Sequence, residues 1–297
     1  MILVVGATGW LGSEICKRLR ANGETVRGFV RPGAKREQEL VDLGVEIAHG
    51  DLKDPASVEA ACRDVESVIS TATCIMSRRS GDSFKKVDHD GLLNLVETAK
   101  RSGVKYFQFM SFSPNVTTDH PFGVYKRTVE RAVRNSGMTW SVVQPGAFME
   151  IGFSEIGGWN LKKGKVRLVG PGTAVHTYIS LYDVADFAVE AFRNPSLHNR
   201  DLPLGGPAAM STLDAIGVFE KALGKPIKVS RAPIPVLKIV KFVVRPFNPH
   251  LASILGLITG GQQFDDVIDM SETAKLLPHP LTSVEDHAKK TVDAINA

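Results

Sequence analysis

The start of the chain constrains its fold more than any other segment. Residues Met1–Val5 are apolar, and residues 6–12 read Gly-Ala-Thr-Gly-Trp-Leu-Gly. Leu11, Ile15 and Leu19 then recur at the spacing of a helix that covers a strand with one face. A buried strand that turns through glycines into a helix is typical of the first unit of a dinucleotide-binding sheet.

Each glycine of this run has a separate physical task. Gly6 permits the tight turn after the strand, because a residue without a Cβ adopts conformations that other residues avoid. Gly9 leaves room for a pyrophosphate beside the backbone, and Gly12 lets the helix pack close to the sheet. The amides at the start of the helix then offer an anion site, so we expect the phosphates of a dinucleotide at this turn.

Strand and helix patterns alternate from here to about residue 150. Strands are predicted at 25–30, 45–49, 67–71, 106–110 and 140–143, and helices at 55–62, at 82–102 and from Pro121. This alternation predicts an α/β fold with a doubly wound parallel sheet of the Rossmann type, in strand order 3-2-1-4-5-6. We expect a nucleotide-binding domain over 1–150 and a smaller α+β substrate-binding region over 151–297, which shares some strands with the main sheet.

Two of the predicted helices carry residues whose orientation matters. The helix from Pro121 is expected to bury one face, made of Val124, Thr128, Val129 and Ala132. Asp88, His89 and Asp90 are consecutive on the 82–102 helix, where neighbours do not share a face. We therefore expect these three residues on a solvated helix surface and predict no metal site in the chain.

Composition indicates a globular protein that binds a small anionic ligand. The chain has 297 residues, of which 43% are hydrophobic and 23% charged, and a formal net charge of +4. No run of Lys and Arg with interleaved aromatics suggests nucleic acid, and no apolar run reaches the roughly 18 residues of a membrane span. Cys16, Cys62 and Cys74 are an odd number and lack metal-ligand spacing, which favours a reduced, cytoplasmic setting. The first residues already read as the core strand, so we expect no signal peptide.

The stretch 233–258 is apolar but is interrupted by Lys238, Lys241, Arg245 and two prolines. Three interpretations fit it: a lid over an apolar substrate, a plain part of the core, or an amphipathic helix on a membrane surface. Because the stretch is short and broken, we favour the lid or the core. We therefore expect no membrane partner.

Arg31 indicates which dinucleotide binds. The second predicted strand ends here, at the point where an NAD-binding fold carries an acidic residue for the ribose 2′-hydroxyl. An arginine at this point pairs instead with a 2′-phosphate, and Lys35 and Arg36 follow closely. We predict a preference for NADP(H).

Several motifs together resemble one family. They are the glycine run 6–12, Arg31, Gly50-Asp51-Leu52, Ser111, Lys126 and Pro145-Gly146. In this combination the chain resembles the NmrA-like and isoflavone-reductase-like group of atypical short-chain dehydrogenases, most firmly over residues 1–150. Residues 204–225 are also similar to divinyl chlorophyllide reductase.

The resemblance implies a set of residues that hold NADP(H). At the pyrophosphate they are Gly6, Thr8, Gly9, Trp10 and Leu11. At the 2′-phosphate, the adenine and the ribose they are Arg31, Asp51, Leu52, Ala72 and Thr73. At the nicotinamide and its ribose they are Pro145, Phe148 and Lys126.

The catalytic motif of the group is incomplete in this chain. Short-chain dehydrogenases generally use a serine after the fifth strand and a Tyr-x-x-x-Lys pair, in which the tyrosine is the acid and the lysine lowers its pKa. Ser111 and Lys126 match, whereas Phe122 stands at the tyrosine position and has no ionisable proton. Tyr125 is adjacent to Lys126 and points about 100° away from it, so it is a poor substitute.

Three possibilities for the chemistry stay open. Lys126 orients the cofactor ribose and assists proton transfer, or the proton comes from solvent or another residue, or there is no turnover. The leading hypothesis is a monomeric or homodimeric NADPH-dependent reductase with Lys126 and Ser111 as catalytic residues. It passes hydride to a small apolar or aromatic acceptor with an activated C=C, quinone or imine group. The alternatives are an NADP(H)-sensing regulatory protein and a pigment reductase similar to divinyl chlorophyllide reductase.

Overall fold

A seven-stranded sheet forms the centre of the fold in the computed structural model, which describes residues 1–77, 79–116, 120–261 and 264–296. The strands of the chain are β1 Ile2–Val5, β2 Val26–Val30, β3 Glu46–His49, β4 Ser67–Ser70, β5 Tyr106–Met110, β6 Thr139–Pro145, β7 Trp159–Asn160, β8 Lys165–Val169, β9 Val175–His176, β10 Arg200–Leu204, β11 Met210–Ser211 and β12 Lys228–Ala232. The sheet has the order β10-β6-β5-β4-β1-β2-β3. From β6 to β3 every pairing is parallel, so the predicted doubly wound sheet and its strand order are confirmed. β10 joins the sheet from the C-terminal half of the chain.

Helices connect these strands and build most of the C-terminal half. They are α1 Trp10–Ala21, α2 Glu37–Asp42, α3 Pro55–Ala61, α4 Leu92–Arg101, α5 Pro121–Arg134, α6 Met149–Gly152, α7 Leu181–Arg193, α8 Thr212–Leu223, α9 Ile234–Val244, α10 Pro249–Gly261, α11 Ser271–Leu276 and α12 Val284–Asn296. Every residue of β1, β4 and β5 is buried, as expected for a parallel sheet that helices cover on both faces.

By their internal contacts the residues fall into two compact units. The first comprises Met1–Phe112, Thr117–Gln144 and Val184–Leu202. The second comprises Ser113–Val116, Pro145–Asp183 and Pro203–Ala297. Each unit is assembled from separate stretches of the chain, and the boundary proposed at residue 150 lies within the 145–183 stretch of the second.

The second unit has its own sheets and its own core. β12, β8 and β7 form a three-stranded sheet, and β11 pairs with β9. Phe153, Trp159 and Phe219 pack against one another at the centre, with ring centroids 5.0 to 5.4 Å apart. α8 begins with a capping box between Ser211 and Asp214.

The buried face of α5 differs from the predicted one. Val124 is 47% exposed, so its expected inward position was wrong. Val129 is buried as predicted, and the helix also buries Phe122, Gly123, Lys126, Glu130 and Val133. Apolar content alone does not identify the whole buried face of α5, because the polar residues Lys126 and Glu130 are buried there against partners from other elements. This face holds much of the site described below.

The predicted helix 82–102 consists of two parts with different hydrogen bonding. A π-helical segment, Phe84–Gly91, leads directly into α4. Ser83 caps the start of the segment by accepting a hydrogen bond from the Lys86 amide. π-helical turns are rare and are frequent at functional sites, which draws attention to the residues of this segment.

The apolar stretch 233–258 forms α9 and α10, which pack against each other. No residue of α9 is buried, so the interpretation of this part as plain core was wrong. α9 has 11 residues and α10 has 13. Within the described ranges, no helix combines the length and the hydropathy that crossing a bilayer requires.

Candidate cofactor and active site

The glycine run forms a tight turn between β1 and α1. Gly6 has a φ of +87°, a conformation that residues with a Cβ rarely adopt. A Cβ on Gly12 would lie 2.2 Å from the Gly6 carbonyl oxygen and 3.0 Å from Thr71 Oγ1. A side chain at either position is therefore incompatible with this turn, and the turn brings the start of α1 against the ends of β1 and β4.

The start of α1 has no side-chain cap on its backbone amides. Gly9 is its N-cap residue and carries no side-chain cap, and the first turn of the helix contains no acidic residue. The Trp10 side chain is exposed and the Leu11 side chain is buried, while Thr8 is half-buried in the turn. Helix amides that no side chain caps are a ready site for phosphate oxygens.

A charged cluster lies at the ends of β2 and β3. The Arg31 guanidinium donates a 2.8 Å hydrogen bond to Asp82 Oδ2. Lys53 Nζ donates to Asp82 Oδ1, and also to Asp51 Oδ2 at 2.9 Å. The Asp82 side chain is fully buried, and it holds both cations at this edge. The sequence predicts Arg31 and Asp51 as cofactor-binding residues but not Lys53. The only local sign of a role for Lys53 is its position two residues after Asp51.

Asp82 remains ionised in this cluster. Burial would raise its pKa, but hydrogen bonds from Lys53 and Ser77 and the positive charge of Arg31 hold that pKa below its ordinary value. Two cations, Arg31 and Lys53, are paired with two carboxylates, Asp82 and Asp51, so the formal charges of the cluster balance. A carboxylate that fixes a basic pair in this way orients it for a further anion.

The other predicted nucleotide contacts lie on the strand ends next to the glycine turn. Ala72 and Thr73 follow β4, and the Ala72 amide nitrogen lies 3.0 Å from where a Cβ of Gly6 would be. The Leu52 side chain is buried and packs against Gly91 at the end of the π-helical segment. Ala72 therefore borders the glycine turn directly, while the Leu52 side chain packs against the π-helical segment.

Lys126 is the centre of a buried charged site. Its side chain is 3% exposed, and its Nζ lies 3.5 Å from Oδ1 of the fully buried Asp88. The second oxygen of Asp88 accepts a 3.0 Å hydrogen bond from the Cys74 amide. Within the described ranges Oδ1 has no hydrogen-bond partner, so the ion pair with Lys126 is what compensates its burial.

Asp88 corrects one expectation from the sequence. We expected Asp88, His89 and Asp90 on a solvated surface, and this is wrong for Asp88. His89 and Asp90 do face outward and pair with each other at 2.7 Å. Asp88 is four residues before Leu92, and this spacing could have placed it on the buried stripe of α4.

Apolar rings surround the Lys126 ammonium. Nζ lies 4.9 Å from the ring centroid of Phe109 and 5.5 Å from that of Phe122. Burial lowers the pKa of Lys126 below its ordinary value, although the negative charge of Asp88 opposes this shift. Tyr125 instead stacks on His89, with ring centroids 4.8 Å apart, which fits its expected poor position as a proton donor.

Ser111 belongs to a second buried network on the same face of α5. Its hydroxyl donates a 2.6 Å hydrogen bond to Glu130 Oε1, which also accepts from Gln144 Nε2 at 3.2 Å. Arg127 and Arg134 pair with the same carboxylate. A hydroxyl has one proton, so Ser111 in this arrangement can accept a hydrogen bond from a ligand but not donate one.

Pro145 and Phe148 belong to the second compact unit. Pro145 is the buried last residue of β6, and Phe148 is half-buried at the start of α6, where it bridges to Ile179. Their predicted place beside a nicotinamide stays a prediction.

The residues of the first unit fit a phosphorylated dinucleotide. A Cβ at Gly6 or Gly12 would occupy the space of the glycine turn, and α1 begins with amides that no side chain caps. Arg31 and Lys53 supply cationic groups at neighbouring strand ends. These are the features that a pyrophosphate and a 2′-phosphate require of a protein.

Comparison with known proteins agrees with this fold. The chain is 31% identical over 239 residues to an NAD(P)H azoreductase of Xenophilus azovorans, covering 77% of this chain and 76% of that protein. It is 28% identical over 295 residues to the photosystem II assembly factor Ycf39 of Trieres chinensis, covering 98% and 85%. Its fold is similar to that of Citrobacter sp. triphenylmethane reductase complexed with NADP(H), with a TM-score of 0.77, 19% identity, and 98% and 99% of the two chains covered. The NmrA-like family matches residues 1–288, so the resemblance predicted from the sequence is confirmed and the chain belongs to this family.

Proposed function

We propose that the protein is an NADPH-dependent reductase of small apolar or aromatic acceptors. The observation that carries the proposal is the buried ammonium of Lys126, which Asp88 fixes on the face of α5 that covers the sheet. Asp88 is in turn bonded to Cys74, close to the residues that border the glycine turn. A buried cation held in a fixed orientation can position a cofactor for hydride transfer. This favours an enzyme over a protein that only binds the dinucleotide.

The protein's own residues have distinct tasks in this proposal. The uncapped start of α1 binds the pyrophosphate, and Arg31 with Lys53 binds the 2′-phosphate. When bound, the reduced cofactor supplies a hydride to the acceptor. Lys126 Nζ orients the cofactor ribose and holds the proton that the reduced acceptor needs. Asp88 is a positioning residue that keeps Lys126 Nζ in place.

The acceptor class follows from the missing tyrosine. Without a phenol at position 122, the site lacks the general acid that short-chain dehydrogenases generally use to reduce a plain ketone. A quinone, an enone or an azo group stabilises the added electron pair by conjugation and needs less help from an acid. The relative named NAD(P)H azoreductase, 31% identical over 239 residues, supports an acceptor of this kind.

A direct assay tests the proposal. The purified chain is incubated with NADPH and a panel of quinones, enones and azo dyes, and the absorbance of the reduced nicotinamide is followed. We expect turnover on at least one conjugated acceptor and none on simple ketones. NADPH binding without turnover on any acceptor would refute the reductase proposal.

Two observations favour a second candidate function, that of an NADP(H)-binding protein that acts on a protein partner without turnover. Phe122 takes the tyrosine position and is buried. A relative that is 28% identical over 98% of this chain is named a photosystem II assembly factor. The assay above separates the two candidates, because only the reductase oxidises NADPH in the absence of a partner.

Arg31→Asp should weaken the preference for NADPH over NADH. The substitution removes the guanidinium that would pair with the 2′-phosphate and adds a carboxylate that repels it. A charge-assisted hydrogen bond contributes roughly 1.5–3 kcal/mol, so the ratio of NADPH to NADH affinity should fall about 10- to 100-fold. Fluorescence titration with both cofactors measures this ratio. Arg101→Asp at the end of α4 makes the same change of charge and should leave the ratio unaltered, and an unaltered ratio in Arg31→Asp would contradict the assignment.

A further inference from the structure

α9 presents large apolar side chains to the outside along its length. We call the exposed large apolar residues of α9, together with Phe247 shortly after the helix, the apolar ridge. The residues of α9 in this ridge are Val236, Ile239, Val240, Phe242 and Val243. Phe242 is 79% exposed and Phe247 is 87% exposed. Contiguous apolar surface of this kind is uncommon on soluble proteins and marks a surface that binds something.

The spacing of these residues makes the ridge continuous. Val236, Ile239, Val240 and Val243 recur at intervals of three and four, so they share one face of α9. The half-buried Leu237 and Val244 lie on another face. One side of the helix is thus partly covered by the protein, while the ridge points away.

Positive charge borders the ridge on one side. Lys238 and Arg245 are exposed on α9 and directly after it, beside the ridge. The segment 221–264 contains seven Lys or Arg residues and no Asp or Glu, although the whole chain carries a net charge of only +4. The remainder of the chain therefore has a net charge of −3. Three of the seven cations, Lys238, Lys241 and Arg245, lie on α9 or directly after it, and the other four precede the helix.

Contrary to the expectation from the sequence, we propose that α9 docks on the surface of an anionic lipid bilayer. In this arrangement the ridge enters the boundary between headgroups and acyl chains, with Phe242 and Phe247 as its largest anchors. Lys238 and Arg245 extend their charged ends to the lipid phosphates while their alkyl stems stay against the apolar layer. The helix lies in the plane of the membrane surface and does not cross the bilayer.

Charge favours the bilayer over a second copy of the chain. A symmetric interface between two α9 helices would bring Lys238 and Arg245 of both copies together around one apolar contact, and like charges so placed repel. An anionic bilayer takes up both the apolar ridge and its cationic border. It also needs no groove of matching shape, unlike a folded protein partner.

The test is co-flotation of the full-length chain with vesicles. One set contains phosphatidylcholine only, and the other contains phosphatidylcholine with about a third of phosphatidylglycerol. We expect flotation with the anionic vesicles, decreasing as NaCl is raised, and little with the neutral ones. The double variant F242S/F247S should lose flotation at least tenfold. K238Q/R245Q should lose it about fivefold per cation, since each basic residue at such a surface contributes on the order of 1 kcal/mol.

Matched variants make the result specific. I156S replaces an exposed apolar residue elsewhere in the second unit, and K162Q/K163Q removes two exposed cations there, and both should float like the wild type. NADPH affinity, measured in parallel, should be unchanged in all four variants and shows that each is folded. The proposal is overturned if the wild-type chain does not float with anionic vesicles, or if the ridge variants float as well as the controls. It is also overturned if these variants only abolish a dimer seen by sedimentation, or only alter turnover as a substrate lid would.

Discussion

Lys126→Met should reduce the turnover number by about 10²- to 10⁴-fold, the range that a lost proton-transfer group usually costs. Methionine keeps the apolar contacts with Phe109 and Phe122 but removes the ammonium that would orient the ribose and hold the proton. The affinity for NADPH should fall much less, because the phosphates bind elsewhere on the sheet edge. Steady-state kinetics with the best acceptor of the panel, together with NADPH titration, separates the two effects.

The pH profile distinguishes a catalytic role of Lys126 from a structural one. Burial lowers the pKa of this lysine below the ordinary 10.5, so turnover should decline on the alkaline side with a midpoint below that value. Lys126→Arg retains a cation that does not titrate in this range, and the same decline should be absent from its profile. Lys86→Met removes an exposed lysine of the π-helical segment and should behave as the wild type. A Lys126→Met enzyme with wild-type turnover would refute the assigned role.

Asp88→Ala should destabilise the protein by about 3–5 kcal/mol near neutral pH, because it leaves the buried Lys126 cation unpaired. It also removes the acceptor of the Cys74 amide hydrogen bond. Urea unfolding followed by circular dichroism measures the loss. The double variant Asp88→Ala/Lys126→Met is the matched control, and it should cost less than the single substitution since no buried charge remains.

The stability deficit of Asp88→Ala should also depend on pH. The pKa of Lys126 is lower in the folded than in the unfolded chain, so the unfolded chain binds more protons between these two values. Stability that depends on this group therefore rises with pH, and the deficit relative to the wild type should shrink as pH approaches 10.5. A deficit that stays constant across this range, or that the double variant does not reduce, would contradict the ion-pair account.

Local patterns in the sequence were sufficient to predict the sheet and the glycine turn. The alternation of strands and helices follows from the short-range periodicity of apolar residues. Gly6 is required by its positive φ, and Gly12 by its close approach to the Gly6 carbonyl oxygen. Strand order then follows from the handedness of the crossovers. The same local information pointed to Arg31, because it lies at a strand end with a known role in this fold.

The electrostatic partners in the site could not be predicted in this way. Lys53 and Asp82 are 29 residues apart, and Ser111 and Glu130 are 19 apart, so their contacts exist only after the sheet has assembled. The orientation of α5 was missed for the same reason. A helix that buries Lys126 looks polar on that face until the carboxylate of Asp88 is placed opposite it.

The four residues after β4 connect two parts of the site that are otherwise separate. Thr71 and Ala72 touch Gly6 in the turn where we expect the phosphates, and Cys74 donates its amide hydrogen bond to the partner of Lys126. If a bound dinucleotide moves one end of this short segment, the backbone would carry that movement to the Asp88 contact at the other end. Binding of the dinucleotide and protonation of Lys126 are then thermodynamically linked, and the linkage is reciprocal. The affinity for the cofactor would then depend on the charge of Lys126, and the pKa of Lys126 would depend on whether the cofactor is bound.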